Sequence, residues 1–326
     1  MIISRAPFRV SFAGGGSDIP SFYEKHGGCV LSTTIKKYVY LTIHPAFNKN
    51  DISLKYSKTE NVHTYKEIEH KIFREAFRRF DIRGVEIASM ADVTAGTGLG
   101  SSSTFTVALL KLLYTYEHQY VSQYHVAKEA CEIEIEDLHN PIGKQDQFAA
   151  AFGGLKFYEF LPNGFVKIEP IVMLPESYKK LEDNCVMFYT GLTHDANKVL
   201  SEQKRNIEGD SKKEELLLKM CDLARELKTH LEQNDVDFLG EALKKGWELK
   251  KQMASSITGS KIDELYQKGI DAGATGGKLL GAGGGGFLLF YVPNAQIKEK
   301  VRKAFSDYTE LPFELDNSGV SIIYND

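Results

Sequence analysis

The sequence has few cysteines, and none stands in a spacing that would bind zinc or build a disulfide framework. Four occur among 326 residues, scattered at Cys29, Cys131, Cys185 and Cys221. Disulfide-rich secreted folds use paired cysteines, whereas isolated ones are typical of reduced thiols in a cytosolic protein. The nine histidines likewise form no HxxxH or HExxH pair. The sequence therefore carries no zinc motif of these kinds.

Long apolar runs and an excess of positive charge are also missing. Apolar stretches such as Phe287 to Val292 are far shorter than the ~20 residues that span a bilayer. The first residues lack the apolar core of a signal peptide. The formal net charge of -4 gives no basic field for a phosphate polymer. We therefore expect a cytoplasmic protein with no membrane and no nucleic-acid partner.

What is present is the composition of an ordinary folded protein, with 42% apolar and 26% charged residues. The length suits two hydrophobic cores. Strand-like segments dominate the first 60 residues, and long amphipathic helices with few strands follow. Because strands and helices are segregated instead of alternating in βαβ units, the order predicts an α+β fold. The loop-like stretch 170–184 predicts a boundary between domains at 1–175 and 176–326.

The run Thr97 to Thr104, which reads TGLGSSST, has the chemistry of a phosphate cradle. A strand-like segment, 85–90, comes before it, and apolar residues at helical spacing follow over about 101–117. Glycines let the backbone approach an anion, and the first N–H groups of a helix have no intrahelical partner. Serine hydroxyls can cap the helix or bind a metal carried by the phosphate. The run therefore predicts a nucleotide-using enzyme.

Two common phosphate-binding motifs do not fit. A Walker A motif fails around Gly277-Lys278, because Ala272 stands where its first glycine belongs and Leu279 follows the lysine. The run Gly281 to Gly286 matches a dinucleotide fingerprint only formally, since it joins two strand-like segments and opens no helix. This run is either a close connection pressed against another part of the molecule or a mobile hairpin loop.

Two acidic residues, Glu134 and Asp146, occupy positions where a functional role is one explanation. On the predicted helix 123–139, Glu134 falls on the apolar face, whereas Glu132 and Glu136 lie about 160° away. A buried carboxylate needs a partner, either a divalent metal or an Arg or Lys side chain. Asp146 follows a Pro/Gly turn beside small residues. That position suits a catalytic base, or a cap of the next helix.

Three segments together resemble the motifs of the GHMP kinase superfamily, which includes galactokinase, homoserine kinase, mevalonate kinase and phosphomevalonate kinase. They are Arg5 to Val10 (RAPFRV) with Gly14 to Asp18 (GGGSD), Gly96 to Ser103, and Leu280 to Gly286. We call them motifs one, two and three, and they stand in the family's order across nearly the whole chain. The resemblance implies an N-terminal domain like ribosomal protein S5 domain 2 and a ferredoxin-like C-terminal domain. ATP and Mg²⁺ would bind between them.

The resemblance also implies roles for individual residues. Asp146 matches the family's catalytic aspartate, and Arg9 matches an arginine that approaches the transferring phosphoryl group. Glu134 and Ser102 match the Mg²⁺ ligands, although Ser101 could exchange roles with Ser102. The ATP phosphates would lie on Gly96, Gly98, Leu99, Gly100, Ser101, Ser102 and Ser103 of motif two. The substrate would contact Ser17, Asp18, Gly283, Gly284 and Gly285.

The expected acceptor is a small sugar or sugar phosphate. Motif one reads GGGSD where galactokinase has Gly-Glu-His-Thr-Asp, and this form resembles bacterial D-glycero-D-manno-heptose 7-phosphate kinases and the kinase half of fucokinase-type enzymes. The implied reaction transfers the γ-phosphoryl group of ATP to the anomeric hydroxyl of a heptose 7-phosphate-like sugar. Lys36 and Lys37 would suit the distal phosphate, or equally a solvated strand end.

Other functions are compatible with the same fold. One is a fucokinase-like or galactokinase-like sugar 1-kinase, another is an enzyme acting on mevalonate-type acids, and a third is a non-catalytic sensor of sugar and ATP. Gln147 and the Ser-Asp pair of motif one favour a sugar. Asp146, Glu134 and Ser102 occur together, which favours an enzyme over a sensor. We expect a monomer or a homodimer.

Overall fold

A first sheet is built on two long strands at the start of the chain. In the computed structural model, which describes residues 1–192, 200–202, 210–254 and 256–326, β1 (Ile2–Ala13) pairs antiparallel with β2 (Gly28–Pro45). Helix α1 (Pro20–His26) connects them and begins at a proline, which suits a first helical turn. The sheet continues through β3 (Ile52–Lys55), β4 (Thr59–Val62), β5 (Val85–Ala91), β6 (Lys156–Phe160) and β7 (Val166–Pro170).

Helices pack beside this sheet and complete its core. They are α2 (Lys71–Phe80), α3 (Ser101–Tyr116), α4 (Gln123–Cys131) and α5 (Gln145–Phe152). Helix α3 contacts β1 and β2, and it buries Leu109, Leu112 and Leu113 completely. Phe73 and Phe77 of α2 belong to the same core cluster. The core therefore fixes α3, and with it the start of that helix, against the two long strands.

The second half of the chain builds a smaller sheet covered by helices. Its strands are β8 (Cys185–Tyr189), β9 (Gly276–Leu279), β10 (Phe287–Tyr291) and β11 (Glu310–Leu311), in the order β11-β8-β10-β9. Its helices are α6 (Pro175–Asn184), α7 (Ser211–Glu232), α8 (Phe238–Lys251), α9 (Ser260–Asp271) and α10 (Ala295–Ala304). Motif three is the connection between β9 and β10, as the sequence predicts.

The last strands of the chain return to the first sheet. β12 (Leu315–Asp316) pairs with β2, and β13 (Ser321–Asn325) pairs with β1. The predicted α+β class is confirmed, because the strands and helices are segregated as expected. The division into 1–175 and 176–326 stays a prediction. With this division, β12 and β13 of the second part would belong to the sheet of the first part.

One predicted helix changes its winding where it carries Glu134. The α-helical part, α4, ends at Cys131, and a π-helical turn covers Glu132–Asp137. Such turns are rare and occur often at functional sites. Glu134 is fully buried in this turn, whereas Glu136 is exposed. The expectation that Glu134 lies on the apolar side is therefore confirmed.

Candidate active site

Two adjoining cavities lie where the three motifs meet. The large cavity, of about 680 Å³, is lined by the start of α3, by motifs two and three, and by apolar residues of β5 and α2. The small cavity, of about 90 Å³, has room for several water molecules and is lined by motif one and by residues of α8 and β9. Arg9, Ile142, Asp146, Leu200, Gly281 and Ala282 border both cavities.

Motif two forms one wall of the large cavity at the start of α3. Its cap residue, Gly100, has φ +79° and no side chain caps the helix. The first N–H groups of an α-helix lack intrahelical partners, and its dipole favours an anion there. Gly96, Gly98, Gly100 and Ser101 to Ser103 all line the large cavity. Leu99 does not line this cavity. Its side chain is buried, and its carbonyl oxygen accepts a hydrogen bond from the backbone N–H of Arg9 at 3.3 Å.

Motif two is pressed against motif three, and glycine makes this contact possible. A Cβ on Gly98, at φ +83°, would lie 2.5 Å from the carbonyl oxygen of Leu280. A Cβ on Gly281 would lie 2.3 Å from the Cα of Gly98. Of the two sequence interpretations of motif three, the close connection is therefore the correct one. The predicted substrate contacts of Gly283, Gly284 and Gly285 stay a prediction. Gly283 and Gly285 line the large cavity, and their Cβ positions point at backbone of Ile257 and Leu192.

The substitution Gly98→Ala should therefore lower the free energy of unfolding by about 2–4 kcal/mol, because it adds a steric clash to an unfavourable positive φ. Urea unfolding measures this change. The control is Gly259→Ala, since that glycine has extended backbone and no atom within 4 Å of its Cβ position. The control should change stability by less than about 1 kcal/mol. Equal stability of the two variants would contradict the close contact of motifs two and three.

Asp146 and Arg9 form an ion pair at the border of the two cavities. Arg9 Nε and Nη2 donate to the two carboxylate oxygens of Asp146, each at 2.7 Å. Arg9 Nη1 donates to the carbonyl oxygen of Gly98 at 2.6 Å. Asp146 lies in the first turn of α5, but both of its oxygens accept from Arg9, and it is the Asp18 side chain that accepts from the first N–H group of this helix, that of Gln145. The alternative of a helix cap is therefore wrong, and the carboxylate is held by a bidentate pair whose orientation is fixed.

Glu134 lies beside the start of α3. Its Oε1 accepts a hydrogen bond from Ser102 Oγ at 2.5 Å, and its Oε2 accepts one from Gln147 Nε2 at 2.8 Å. Burial raises the pKa of Glu134 to about 7. Among the described residues it has no ion pair with Lys, Arg or His, so the alternative of a structural cation does not hold for that part of the chain. The hydroxyl of Ser101 is buried and has no hydrogen-bond partner within the described ranges of the chain.

This donor set fits a magnesium ion that arrives with a nucleotide. Mg²⁺ usually keeps few protein ligands, one or two carboxylates, and takes the rest from substrate phosphates and water. Glu134 is one buried carboxylate, and Ser102 offers a hydroxyl next to it. No group of three or more His, Cys, Asp or Glu side chains placed to hold a metal ion occurs, here or elsewhere, in the described part of the chain. An ion held entirely by protein side chains therefore finds no cage among these residues.

Asp18 of motif one lies in the small cavity and is held by N–H groups. Its Oδ1 accepts from Gly16 N at 3.0 Å and from Gln145 Nε2 at 3.1 Å, and its Oδ2 accepts from Gln145 N at 3.1 Å. Burial raises its pKa. Ser17 is fully buried and lines neither cavity, because its hydroxyl bonds the backbone of Gly14 and Cys29. A substrate contact of Ser17 stays a prediction without a supporting contact.

Two lysines that the sequence interpretation missed reach the small cavity. They are Lys250 of α8 and Lys278 of β9, and both are buried. The signal for Lys278 was available, because it stands alone in an otherwise apolar or glycine strand. Lys250 gave none, since it lies in a lysine-rich helix. Lys36, which the sequence offered for a distal phosphate, pairs with Glu314 at 3.5 Å in a separate cavity of about 570 Å³.

Lys278→Met should stabilise the ligand-free protein at pH 6.5. Burial lowers the pKa of Lys278 to about 7, so below pH 7 the folded protein must bury a charge that the unfolded chain keeps in water. The stability of the wild type should rise between about pH 7 and pH 10, where only the unfolded chain binds this proton. In the variant this rise should be absent, and its free energy of unfolding below pH 7 should exceed that of the wild type by a few kcal/mol. Urea unfolding at several pH values measures both effects. If the stabilities of wild type and variant change with pH in the same way, the burial of a titrating lysine is contradicted.

Two models of known protein families match this chain. The model of the "GHMP kinases N terminal domain" matches residues 63–154, and that of the "GHMP kinases C terminal" region matches residues 226–309. Together these ranges cover more than half of the chain. The chain belongs to the GHMP kinases. As a member of this family it is a phosphotransferase with an alcohol acceptor, and it uses ATP as phosphate donor.

This GHMP kinase is similar to enzymes and structures described as sugar kinases. It is 33% identical over 307 residues to a D-glycero-alpha-D-manno-heptose 7-phosphate kinase of Campylobacter jejuni, which covers 89% of each chain. A solved structure of a D-glycero-D-manno-heptose 1-phosphate kinase from Bacteroides thetaiotaomicron has 28% identity and a TM-score of 0.80, with 100% of both chains covered. A putative sugar kinase from Campylobacter jejuni has 28% identity and a TM-score of 0.79, with 98% of this chain and 97% of the other covered.

The predicted family and its two-domain fold are thereby confirmed. The roles of the individual site residues in this GHMP kinase stay predictions. Across the part of the chain that the structure describes, none of the helices combines the length and the apolar character needed to cross a bilayer.

Proposed function

We propose that this GHMP kinase transfers the γ-phosphoryl group of ATP to the anomeric hydroxyl of a heptose 7-phosphate-like sugar. The observation that carries the proposal is the position of Asp146 at the border of the two cavities. A nucleotide on motif two and a sugar in the small cavity would meet at this carboxylate. The similarity to heptose phosphate kinases supports the choice of sugar.

The nucleotide would fill the large cavity from end to end. Its phosphates would face the uncapped start of α3, where the N–H groups and the serine hydroxyls lie. The other end of this cavity is apolar and aromatic, with Tyr56, Ile72, Met90 and Phe105 among its lining residues. Such a surface suits the adenine ring, which stacks on aromatic and aliphatic side chains.

The sugar hydroxyl would be aligned by Asp146. Phosphoryl transfer needs in-line positioning and neutralisation of charge more than it needs covalent chemistry. Asp146 would orient the attacking hydroxyl and accept its proton. Arg9, whose Nη1 donates to the carbonyl oxygen of Gly98, would stabilise the negative charge on the transferring phosphoryl group. Ser102 and Glu134 would hold Mg²⁺, which supplies charge neutralisation on the β- and γ-phosphates when bound. Asp18 would accept hydrogen bonds from sugar hydroxyls.

The cellular setting follows from the same chemistry. We propose a small-molecule substrate, no nucleic-acid or membrane partner, and a cytoplasmic location where ATP is available. All four cysteines are buried and free, which agrees with a reducing compartment.

The test is ADP release by the purified protein with Mg²⁺ across a sugar panel. The panel contains D-glycero-D-manno-heptose 7-phosphate, fucose and galactose. Highest kcat/KM with the heptose phosphate supports the proposal. Preference for fucose or galactose would overturn the choice of sugar, and sugar binding without ADP release would favour a sensor. Phosphorus NMR of the product locates the new phosphate, and a signal at any position but the anomeric carbon would refute the proposed acceptor hydroxyl.

A further inference from the structure

Two buried lysines on the wall of the small cavity form no ion pair with any residue that the structure describes. Lys250 and Lys278 are 9% and 6% exposed. Lys250 Nζ donates to the carbonyl oxygen of Gly281, and Lys278 Nζ donates to that of Phe12 at 3.2 Å. Neither makes an ion pair with a carboxylate of the described residues. Each ammonium group has three donors, so both keep donors for a ligand.

The other charged groups of the small cavity do not balance these lysines. Asp146 uses both oxygens on Arg9, and Asp18 is held by backbone and amide N–H groups. With all groups ionised, the cavity carries three positive and two negative charges. Burial lowers the pKa of both lysines, and the neighbouring charge of Arg9 lowers it further. Without a ligand the lysines therefore lose their protons easily, and an anion that enters the small cavity would stabilise their charged form.

We infer that Lys250 and Lys278 bind the phosphate group that the acceptor sugar already carries, so that they select a sugar phosphate over a free sugar. This inference rests on the proposed sugar kinase function and names the groups that recognise its substrate. Two ammonium groups match a phosphate dianion in charge, and lysine binds phosphate as a compact point charge. Both lysines line the small cavity and neither lines the large one, so we assign them to the sugar phosphate and not to ATP.

A purely structural role is the competing explanation. Lys250 holds the carbonyl of Gly281, and through it the lysine could support the loop of motif three. Replacing a structural lysine would weaken the use of ATP, free sugar and sugar phosphate alike. Replacing a lysine that binds the substrate phosphate would lower kcat/KM only for the sugar that carries this phosphate. The comparison of matched substrates therefore separates the two explanations.

The first experiment measures kcat/KM for heptose 7-phosphate and for the same heptose without phosphate. Lys250→Gln and Lys278→Gln should each lower the value for the phosphorylated sugar about 10- to 100-fold, the usual effect of losing a charged hydrogen bond. The value for the free sugar and the KM for ATP should change less than about twofold. The control is Lys251→Gln, next along α8, whose side chain pairs with Glu248 at 2.8 Å and lines neither cavity. Equal losses with both sugars would overturn the inference.

A binding measurement tests the inference without turnover, and its main comparison needs only the wild type. Calorimetric titration of wild type, saturated with ADP, at pH 8 in buffers of different ionisation enthalpy reports proton uptake. Lys278 is mostly neutral at this pH, and a bound dianion should return its proton. We expect proton uptake with the sugar phosphate, none with the free sugar, and reduced uptake in Lys278→Gln. Binding without uptake would overturn the inference, whereas failure of every sugar to release ADP would refute the proposed function alone.

Discussion

Asp146→Asn should lower kcat about 10²- to 10⁴-fold, the range for loss of a general base. Asparagine keeps the size of the side chain but cannot accept the hydroxyl proton, and it can offer only one acceptor oxygen to Arg9. The KM for ATP should change little, because the nucleotide is expected on motif two and the start of α3. Steady-state ADP release at saturating sugar and ATP measures kcat. Turnover at the wild-type rate would remove Asp146 from the reaction.

Loss of the ion pair with Arg9 can also weaken the fold, so a structural control is needed. Asp316→Asn serves this purpose, because Asp316 is 3% exposed and accepts hydrogen bonds from Tyr38 Oη at 2.9 Å and from the backbone. It lines neither cavity. This control should lower the melting temperature and leave kcat within about threefold. If both variants lose kcat in proportion to stability, the effect of Asp146 is structural.

Glu134→Gln should lower kcat/KM for ATP about 10²- to 10³-fold, because removal of the carboxylate weakens the neutralisation of phosphate charge. The Mg²⁺ concentration for half-maximal rate should rise at least about tenfold. Glutamine can keep the hydrogen bonds to Ser102 and Gln147, so the fold should survive. A second readout is thermal stabilisation by ATP with Mg²⁺ compared with ATP and EDTA. The difference between the two should be large in wild type and small in the variant.

A neighbouring glutamate provides the matched control for this variant. Glu129 lies on α4, is 8% exposed, and accepts hydrogen bonds from Tyr114 Oη at 2.7 Å and Arg79 Nη1 at 3.4 Å. It lines neither cavity. Glu129→Gln should therefore leave the dependence on Mg²⁺ unchanged. An unchanged dependence in Glu134→Gln as well would contradict the proposed metal site.

Several parts of the site could be predicted because their signals are local. The segment from β5 through motif two to α3 shows a strand pattern, glycines and helical periodicity in succession. Glu134 stood out because a charged residue interrupts an apolar face. Motif three could be predicted to join two strands, because no helix follows its glycines, with a close connection as one of two interpretations. Each of these inferences needs about 20 residues of context, which periodicity and residue chemistry supply.

Other parts could not be predicted because they depend on contacts between distant segments. The resemblance implies Ser102 as a metal ligand but leaves Ser101 as a possible exchange, and the packing of α3 against the π-helical turn places Ser102 beside Glu134. Lys36 and Lys250 look alike in sequence, because each follows an aliphatic residue and precedes a second lysine. The first has an exposed side chain on β2 that pairs with Glu314, and the second is buried at the wall of the small cavity. Side-chain burial is set by the tertiary fold, so local patterns cannot distinguish these two lysines.

The amino-acid sequence alone determined the α+β class, the three motifs in their order, and Asp146, Arg9 and Glu134 as candidate residues, since these follow from short-range patterns and from resemblance to a family. The tertiary structure decided that Arg9 pairs with Asp146 across 137 residues and that Gly98 meets Gly281. It also gathered two lysines from α8 and β9 at one cavity. The physical reason is that such contacts arise when separate elements bury their apolar faces together. The sequence of one segment does not specify which residues of other segments it will contact.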